Sequence, residues 1–195
     1  MRRNEQILHV ASRLFSERGF HAVSIDDIGE AAGISGPGLY RHFANKVDIF
    51  RGVCDLTLDR LAELAGPPAQ VPEHELATLV RAQAQLSLRY PQLACVFEIE
   101  RALPDDLRRH FRLRQRTHAR RWVAAMRALA PARTEADITL AVYAAIGLLI
   151  SVARMPREVL RRTDLEASLI ATAYRVLALA PACHSAVTKE ALALQ

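Results

Sequence analysis

The sequence is poor in cysteine and aromatic residues, and these scarcities exclude several protein classes. Its three cysteines, Cys54, Cys95 and Cys183, are an odd number and none belongs to a C-x-x-C pair. Neither a disulfide framework nor a zinc site is therefore expected. Aromatic residues make up only 6% of the chain, whereas alanine, leucine and arginine are abundant. This composition favours an all-α protein.

Long apolar segments are also missing. No continuous apolar core of a signal peptide follows the charged N-terminal residues. The most apolar stretch, Ile138 to Ala153, is interrupted by Thr139 and Ser151 and is shorter than the roughly 18 residues that a membrane span needs. We therefore predict a cytoplasmic protein without a membrane partner, in which this stretch is a buried helix.

The motifs of common enzyme classes are absent from the sequence. It contains no glycine-rich phosphate loop, no G-x-S-x-G elbow, no H-E-x-x-H helix and no recognisable setting for a catalytic cysteine. Serine, histidine and aspartate residues occur without the spacing of a catalytic triad. We therefore predict that the protein is not an enzyme and has no catalytic residue, metal site or cofactor.

Glycine and proline divide the chain into two predicted domains. A cluster of Gly66, Pro67, Pro68 and Pro72 cannot continue a helix, so the first domain should end near Ala65. The predicted domains are residues 1–65 and 66–195. In the second domain, proline breaks and capping residues predict helices at about residues 73–90, 92–102, 105–130, 134–153 and 165–179.

Two short helices joined by a tight turn are predicted after Val23. Ser24 can cap the first helix, and Asp26 and Asp27 suit the positive end of its dipole. Ile25, Ile28 and Ala32 form one apolar face, and Gly33 can end the helix. Ser35 can cap the second helix, and Pro37 lies where a missing N–H is tolerated. This pattern is typical of a helix-turn-helix.

The second short helix has the side chains of a DNA-reading element. Leu39 and Phe43 point inward together, which leaves Gly38, Arg41 and His42 facing outward. Arg41 can form paired hydrogen bonds to guanine, while Tyr40, His42 and Lys46 can donate to phosphates. A helical hairpin inside an ordinary α-bundle would explain the apolar spacing but not the other residues. The predicted DNA-binding residues are Ser24, Ser35, Gly36, Pro37, Gly38, Tyr40, Arg41, His42 and Lys46.

The segments Ala32-Gly33-Ile34-Ser35, Leu39-Tyr40-Arg41-His42-Phe43 and Asn45-Lys46 resemble, in order and spacing, the DNA-binding signature of TetR-type bacterial transcriptional regulators. The resemblance covers about the first sixty residues. It implies a helix-turn-helix domain of three helices, followed by a helical domain for ligand binding and dimerisation. It further implies a homodimeric repressor that binds a palindromic operator and is released by a small effector. The family often has Lys, Gly and then Ser or Thr where this chain has Gly36, Pro37 and Gly38.

Positive charge is concentrated outside the predicted DNA-binding domain. Residues 1–50 hold six Lys or Arg and six Asp or Glu, whereas residues 101–127 hold nine arginines and only two acidic residues. Arg108, Arg112, Arg116 and Arg120 recur every four residues, which is typical of a solvated helix face. The net charge of +5 therefore belongs to one helix of the second domain.

The opposite face of this arginine-rich helix is apolar and includes Phe111, Trp122 and Met126. Arg114 and His118 fall on the same face, where an unpaired charge is too costly to keep. Their partners could be Glu98 and Glu100 on the preceding helix, or the anionic group of a ligand. A single histidine on an apolar face is more often a core residue, so His118 is the weaker candidate.

GPGLYRHF and the stretch Val96 to Trp122 also resemble TetR-type regulators that sense acyl-CoA thioesters in lipid or sterol catabolism. This resemblance implies an effector with phosphates against arginines and an acyl chain among aromatic residues. A ligand-independent regulator and an efflux repressor that senses a cationic drug are the alternatives, and only Glu98 and Glu100 support the latter. The predicted ligand-binding residues are Phe97, Glu98, Arg101, Phe111, Arg114, His118, Trp122 and Met126.

The last two long helices carry apolar residues too broadly for elements that face only solvent. These residues are Ile138, Val142, Ala145, Leu148, Leu149 and Val152, then Leu165, Leu169, Thr172, Tyr174, Val176 and Leu177. The family resemblance implies that these helices form a four-helix bundle across a two-fold axis. A dimer would present two DNA-reading helices to half-sites roughly 34 to 36 Å apart, or a multiple of that spacing.

Overall fold

The computed structural model describes residues 3–94 and 105–179, which form helices and no strand. Nine α-helices occur in this part of the chain. They are α1 (Arg3–Arg18), α2 (Ile25–Ala32), α3 (Gly36–Tyr40), α4 (Lys46–Ala65), α5 (Pro72–Arg89), α6 (Asp105–Leu129), α7 (Glu135–Ile150), α8 (Arg157–Leu160) and α9 (Leu165–Leu179). Two 3₁₀ segments lie at Pro91–Ala94 and Ser151–Arg154. The predicted all-α class is confirmed.

The helix bounds agree with the proline and capping signals in most places. Thr134 caps α7 by accepting a hydrogen bond of 3.2 Å from the Asp137 N–H, as predicted. This helix ends three residues earlier than expected because the chain tightens into the 3₁₀ segment at Ser151–Arg154. The short helix α8 after Pro156 was not predicted. The helix predicted at residues 92–102 lies mostly outside the described residues.

The chain divides into two compact units. The first comprises Met1–Gly66 and Gln85–Thr117, and the second comprises Pro67–Ala84 and His118–Gln195. One break between the units lies between Gly66 and Pro67. The sequence did not indicate that Gln85–Thr117 would join the first unit, because the contacts that bring it there connect residues far apart in the sequence.

An aromatic cluster forms the core of the first unit. The rings of Phe15, Phe20 and Phe50 meet in tilted and edge-on contacts, with centroids 5.2 to 5.4 Å apart. Such geometry adds favourable quadrupole interactions to the burial of apolar area. Ile28 of α2 and Leu39 of α3 are fully buried. The aromatic cluster and these two residues hold the short helices α2 and α3 in place.

In the second unit, α7 and α9 share a buried apolar seam. Ile138, Val142 and Leu149 of α7 are buried, as are Ala173 and Leu177 of α9. By length and composition alone, Glu135–Arg154 could cross a membrane, since its most apolar window has a mean hydropathy of 2.0. This segment is longer than the predicted apolar stretch Ile138 to Ala153 because it also includes Glu135–Asp137 and Arg154. A core helix of a soluble protein passes the same test, and 39% of the window is buried.

Candidate DNA-binding site

Side-chain caps fix both helices of the helix-turn-helix. The Ser24 hydroxyl accepts a hydrogen bond from the Asp27 N–H at 3.0 Å, and the Ser24 N–H donates to Asp27 Oδ2 at 2.7 Å. This reciprocal capping box satisfies two backbone donors that the helix leaves open. The hydrogen bonds from Ser24 lower the pKa of Asp27 below its usual value. The predicted cap at Ser24 is confirmed.

The turn after α2 depends on a residue in the left-handed region. Gly33 has φ 62° and ψ 43°, a conformation that costs glycine little because it has no Cβ. Ser35 then caps α3 by accepting a hydrogen bond of 3.3 Å from the Gly38 N–H, with Pro37 in the first turn. The turn therefore directs α3 away from α2 over very few residues.

The exposed end of α3 carries the polar side chains of the site. Tyr40 is 55% exposed, and Arg41 and His42 are also exposed directly after it. Arg41 occupies the C-cap position, one residue beyond the last helical residue. The side chains of Arg41 and His42 form no hydrogen bond or ion pair within the described residues. Ser24, Ser35 and Pro37 are exposed as well, and Gly36 is half-buried.

Gly38 does not face outward, and that prediction was wrong. It is buried, and a Cβ built at this position would lie 2.8 Å from Ile34 Cγ1 and 3.1 Å from the Ser35 hydroxyl oxygen. Helix α3 has only five residues and lies so close to the preceding loop that Gly38, its third residue, packs against the Ile34 side chain. Glycine at this position therefore serves the packing of the turn.

Lys46, a predicted phosphate donor, makes contacts within the chain that its position in the sequence does not predict. Its ammonium group donates to the backbone carbonyls of Phe20 at 2.9 Å, Val23 at 2.8 Å and His21 at 3.4 Å. It also lies 4.6 Å from the centroid of the Phe20 ring, a favourable cation–π distance. The ammonium group thus joins the start of α4 to the loop before α2. No local pattern in the sequence predicts these three carbonyl partners, because they lie 23 to 26 residues earlier in the chain.

The geometry of α1 to α4 corresponds to a known family of DNA-binding domains. Residues 7–53 match the family model described as "Bacterial regulatory proteins, tetR family". The similarity to the tetR family covers this segment of the chain. The matched residues include most of α1, all of α2 and α3, and the start of α4. They also include all the predicted DNA-binding residues.

Curated proteins similar to this chain are named as transcriptional regulators, not as enzymes. The chain is 41% identical over 59 residues to the HTH-type transcriptional activator FasR of Mycolicibacterium smegmatis, covering 30% of this chain and 27% of the relative. It is 38% identical over 66 residues to the HTH-type transcriptional repressor KstR2 of Rhodococcus jostii, covering 32% of each chain. The chain thus matches about a quarter to a third of the length of these relatives.

Solved structures share the whole fold at lower sequence identity. AibR in complex with isovaleryl coenzyme A and operator DNA has a TM-score of 0.72 and 18% identity, with 88% of this chain and 95% of AibR covered. This likeness shows the fold of the chain.

Arg114, a predicted ligand-binding residue, is paired within the first unit. Its guanidinium donates to Asp55 Oδ1 at 2.7 Å and to Asp59 Oδ1 at 2.6 Å. His110 Nε2 lies 2.9 Å from the same Asp55 oxygen. Burial opposes the charge of Arg114, but the hydrogen bonds that it donates to Asp59 and Asp55 outweigh this effect and raise its pKa. Arg114 is one-third exposed, so the prediction that it enters an apolar interior was wrong.

Three of the other described candidates for ligand binding, His118, Trp122 and Met126, lie in the second unit. Trp122 and Met126 are buried, and the Trp122 indole N–H donates to His118 Nε2 at 3.0 Å. His118 therefore accepts a hydrogen bond inside the fold. This agrees with the expectation that a single histidine on an apolar face is more often a core residue than a ligand-binding residue. Phe111, in the first unit, is fully buried. Phe97, Glu98 and Arg101 lie outside the described residues, as does Glu100.

The pKa of His118 predicts a pH-dependent loss of stability. Burial first, and then the charge of Arg121, lower this pKa from 6.5 to about 4. In the unfolded chain His118 binds a proton below its usual pKa, whereas in the folded protein it remains neutral. Lowering the pH from 7 to 5 should therefore cost about 2 kcal/mol through this group.

Urea unfolding at both pH values checks this expectation. His118→Gln keeps an acceptor for the Trp122 N–H but cannot be protonated. Between pH 7 and pH 5, the variant should therefore lose about 2 kcal/mol less of its unfolding free energy than the wild type loses. Equal losses in the two proteins would contradict the placement of His118.

Proposed function

We propose that the protein is a ligand-responsive transcriptional repressor that acts in the cytoplasm as a homodimer on a palindromic operator. The observation that supports DNA binding most strongly is the unpaired guanidinium of Arg41 at the exposed end of α3. Two capped helices present this group, and a guanidinium can form paired hydrogen bonds to the major-groove edge of guanine. Tyr40 and His42 flank it as phosphate donors.

Apolar side chains exposed on the second unit support dimerisation. Leu140 and Tyr143 on α7 are 57% and 46% exposed, and Tyr174 on α9 is 37% exposed. These side chains lie on the two helices whose other faces form the buried seam of this unit. Large apolar groups clustered on a surface are typical of an interface. In this proposal α7 and α9 meet the same helices of a second copy, which gives the operator its two-fold symmetry.

The proposed effector is an amphipathic anion of the acyl-CoA type. Arg109, Arg116 and Arg120 of α6 are exposed and have no ion pair among the described residues. Guanidinium groups suit phosphate groups, which they bind through paired hydrogen bonds. AibR, which shares the fold, forms a complex with isovaleryl coenzyme A and operator DNA. The effector must have a higher affinity for the conformation that does not fit the operator. An effector that binds both conformations equally would not change their populations.

Arg41→Ala should weaken binding to the operator by about 1 to 3 kcal/mol, because it removes the group that reads a base. It should also reduce the preference for the operator over random DNA. Arg13→Ala is the matched control, since Arg13 is an exposed arginine on α1. Fluorescence anisotropy with labelled operator and random duplexes at one salt concentration measures both effects. If Arg41→Ala weakens the affinity for the operator and for random DNA by the same factor, base reading by Arg41 is contradicted.

Release of the labelled operator tests the effector. Isovaleryl-CoA and longer saturated acyl-CoA thioesters are titrated into the complex of protein and operator, with free coenzyme A and the free acids as controls. The proposal predicts release by at least one thioester at micromolar concentration and no release by the free acids. If no thioester releases the operator up to millimolar concentration, the acyl-CoA proposal fails. Light scattering on the same protein should give the mass of a dimer.

A further inference from the structure

A groove of the first unit is lined by side chains of α1 and of the chain around the end of α5. Its volume is about 460 Å³, which lies within the roughly 300 to 1,000 Å³ of typical ligand sites. All its lining residues belong to the first unit. The polar and aromatic ones are Gln6, His9, Arg13, Arg89, Tyr90 and Gln92. The groove is therefore large enough for a small molecule and is formed within one unit.

Positive charge dominates this groove. Arg13 and Arg89 are both exposed, and neither guanidinium has a hydrogen bond or an ion pair within the described residues. Among the described residues, those that line the groove include no Asp or Glu. Guanidinium groups bind phosphates and carboxylates through paired hydrogen bonds. The groove therefore suits an anion.

Two aromatic rings lie in the same groove. The rings of His9 and Tyr90 are stacked, with centroids 6.2 Å apart and planes inclined by 28°. Burial lowers the pKa of His9 and outweighs the opposing charge of Glu5, so the imidazole is neutral at pH 7. Both residues are half-buried, which leaves part of each side chain open to the groove. A flat group can stack on such rings, so the ligand that uses all these features carries a ring as well as an anion.

Side-chain amides restrict the ligand further. Gln6 Oε1 accepts a hydrogen bond of 3.0 Å from Arg3, which leaves the Gln6 N–H groups as donors. The Gln92 amide offers both donors and an acceptor. The edges of nucleic acid bases carry donors and acceptors side by side, which an amide can match. A nucleoside phosphate combines the anion, the flat ring and the polar edge.

We propose that this groove binds a nucleoside phosphate. Arg13 and Arg89 hold the phosphates, the base stacks against the pair of His9 and Tyr90, and Gln92 contacts the polar edge of the base. None of these residues is among the α6 arginines proposed for the effector, so the inference goes beyond the proposed function. A free nucleotide and the nucleotide part of coenzyme A share this chemistry.

Calorimetry on the full chain tests the inference with the diphosphates of adenosine, guanosine, cytidine and uridine. At least one of them should bind about tenfold or more tightly than its nucleoside, which lacks phosphate, and than pyrophosphate, which lacks a base. Coenzyme A distinguishes the two sources. If it binds more tightly than adenosine diphosphate, the groove holds the nucleotide part of the coenzyme, and if it binds no more tightly, the groove holds free nucleotides.

Single variants connect the binding to the groove. Arg89→Gln and Tyr90→Leu should each weaken nucleotide binding about tenfold or more, whereas Tyr90→Phe keeps the ring and should retain the affinity. Arg81→Gln is the matched control and should also retain it, because Arg81 is an exposed arginine on α5 that does not line the groove. Melting curves establish that each variant is folded.

Several outcomes would overturn the inference. They are no binding of any diphosphate at millimolar concentration, pyrophosphate binding as tight as that of the nucleotides, and equal nucleotide affinity in the wild type and Arg89→Gln. Nucleotide binding that depends on Arg89, with no release of the operator by any acyl-CoA, would instead count against the proposed effector alone. The operator assays with Arg13→Ala contain no nucleotide, so that variant remains a control for DNA binding.

Discussion

Replacing Glu75 by Leu should lower the free energy of unfolding by about 3 to 5 kcal/mol, the usual cost of removing one partner from a buried ion pair. Glu75 is only 6% exposed and accepts hydrogen bonds from Arg121 Nε at 2.7 Å and Arg121 Nη2 at 3.2 Å. It also accepts from the Ala69 N–H at 2.8 Å. The substitution leaves a guanidinium and a backbone N–H without this carboxylate. Chemical denaturation at pH 7 measures the loss.

A double variant separates the ion pair from ordinary packing. In Glu75→Leu combined with Arg121→Met, both charges are replaced by apolar groups, so no charge is left facing a missing partner. Such replacements are often neutral or stabilising. We expect the double variant to recover most of the stability lost in Glu75→Leu. A double variant as unstable as the sum of the two single variants would contradict the role of the pair.

The same carboxylate should make stability depend on acid pH. Burial tends to raise the pKa of Glu75, but the hydrogen bonds from Arg121 and Ala69 outweigh it, so the pKa is lowered. Its contribution to stability is complete above the usual pKa of a glutamate and is lost as the pH falls through the lowered value. The loss through Glu75 therefore occurs at lower pH than the loss through His118.

Replacing Lys46 by Met should lower the free energy of unfolding by about 3 kcal/mol, because hydrogen bonds to a charged group contribute roughly 1.5 to 3 kcal/mol each. Two of its three carbonyl partners, on Phe20 and Val23, belong to buried residues and would lose this donor. Methionine keeps the apolar length of the side chain, so the change removes the ammonium group with little loss of packing. Thermal unfolding measures the effect.

The salt dependence of DNA binding distinguishes this role from a phosphate contact. A lysine that neutralises one phosphate changes the slope of log K against log salt by about 0.9. We expect Lys46→Met, at a temperature where it is fully folded, to change the slope by much less than this. Unchanged stability together with a slope reduced by about one would show that Lys46 binds phosphate.

Local signals allowed much of the candidate site to be predicted from the sequence. The caps at Ser24 and Ser35 and the left-handed Gly33 depend on residues within three positions of one another. Such interactions follow from side-chain type and spacing, and the structure confirms them. The burial of Leu39 and the exposure of Arg41 follow from helical periodicity in the same way.

The contacts that the sequence does not predict join distant segments. Arg114 donates hydrogen bonds to Asp55 and Asp59, which precede it by 59 and 55 residues. Lys46 donates to backbone carbonyls 23 to 26 residues earlier. Spacing within a helix contains no information about such partners. Gly38 was placed on the outer face because ideal periodicity ignores how tightly a five-residue helix turns back on Ile34.

Selection of DNA sequences from a random duplex library by the purified protein tests the central claim most directly. Because two copies of α3 would read the DNA around a two-fold axis, the account predicts enrichment of an inverted repeat. Its half-sites should be about one helical turn apart, or a multiple of this, and Arg41→Ala should abolish the enrichment. No enriched sequence, or an enriched site without dyad symmetry, would contradict the account.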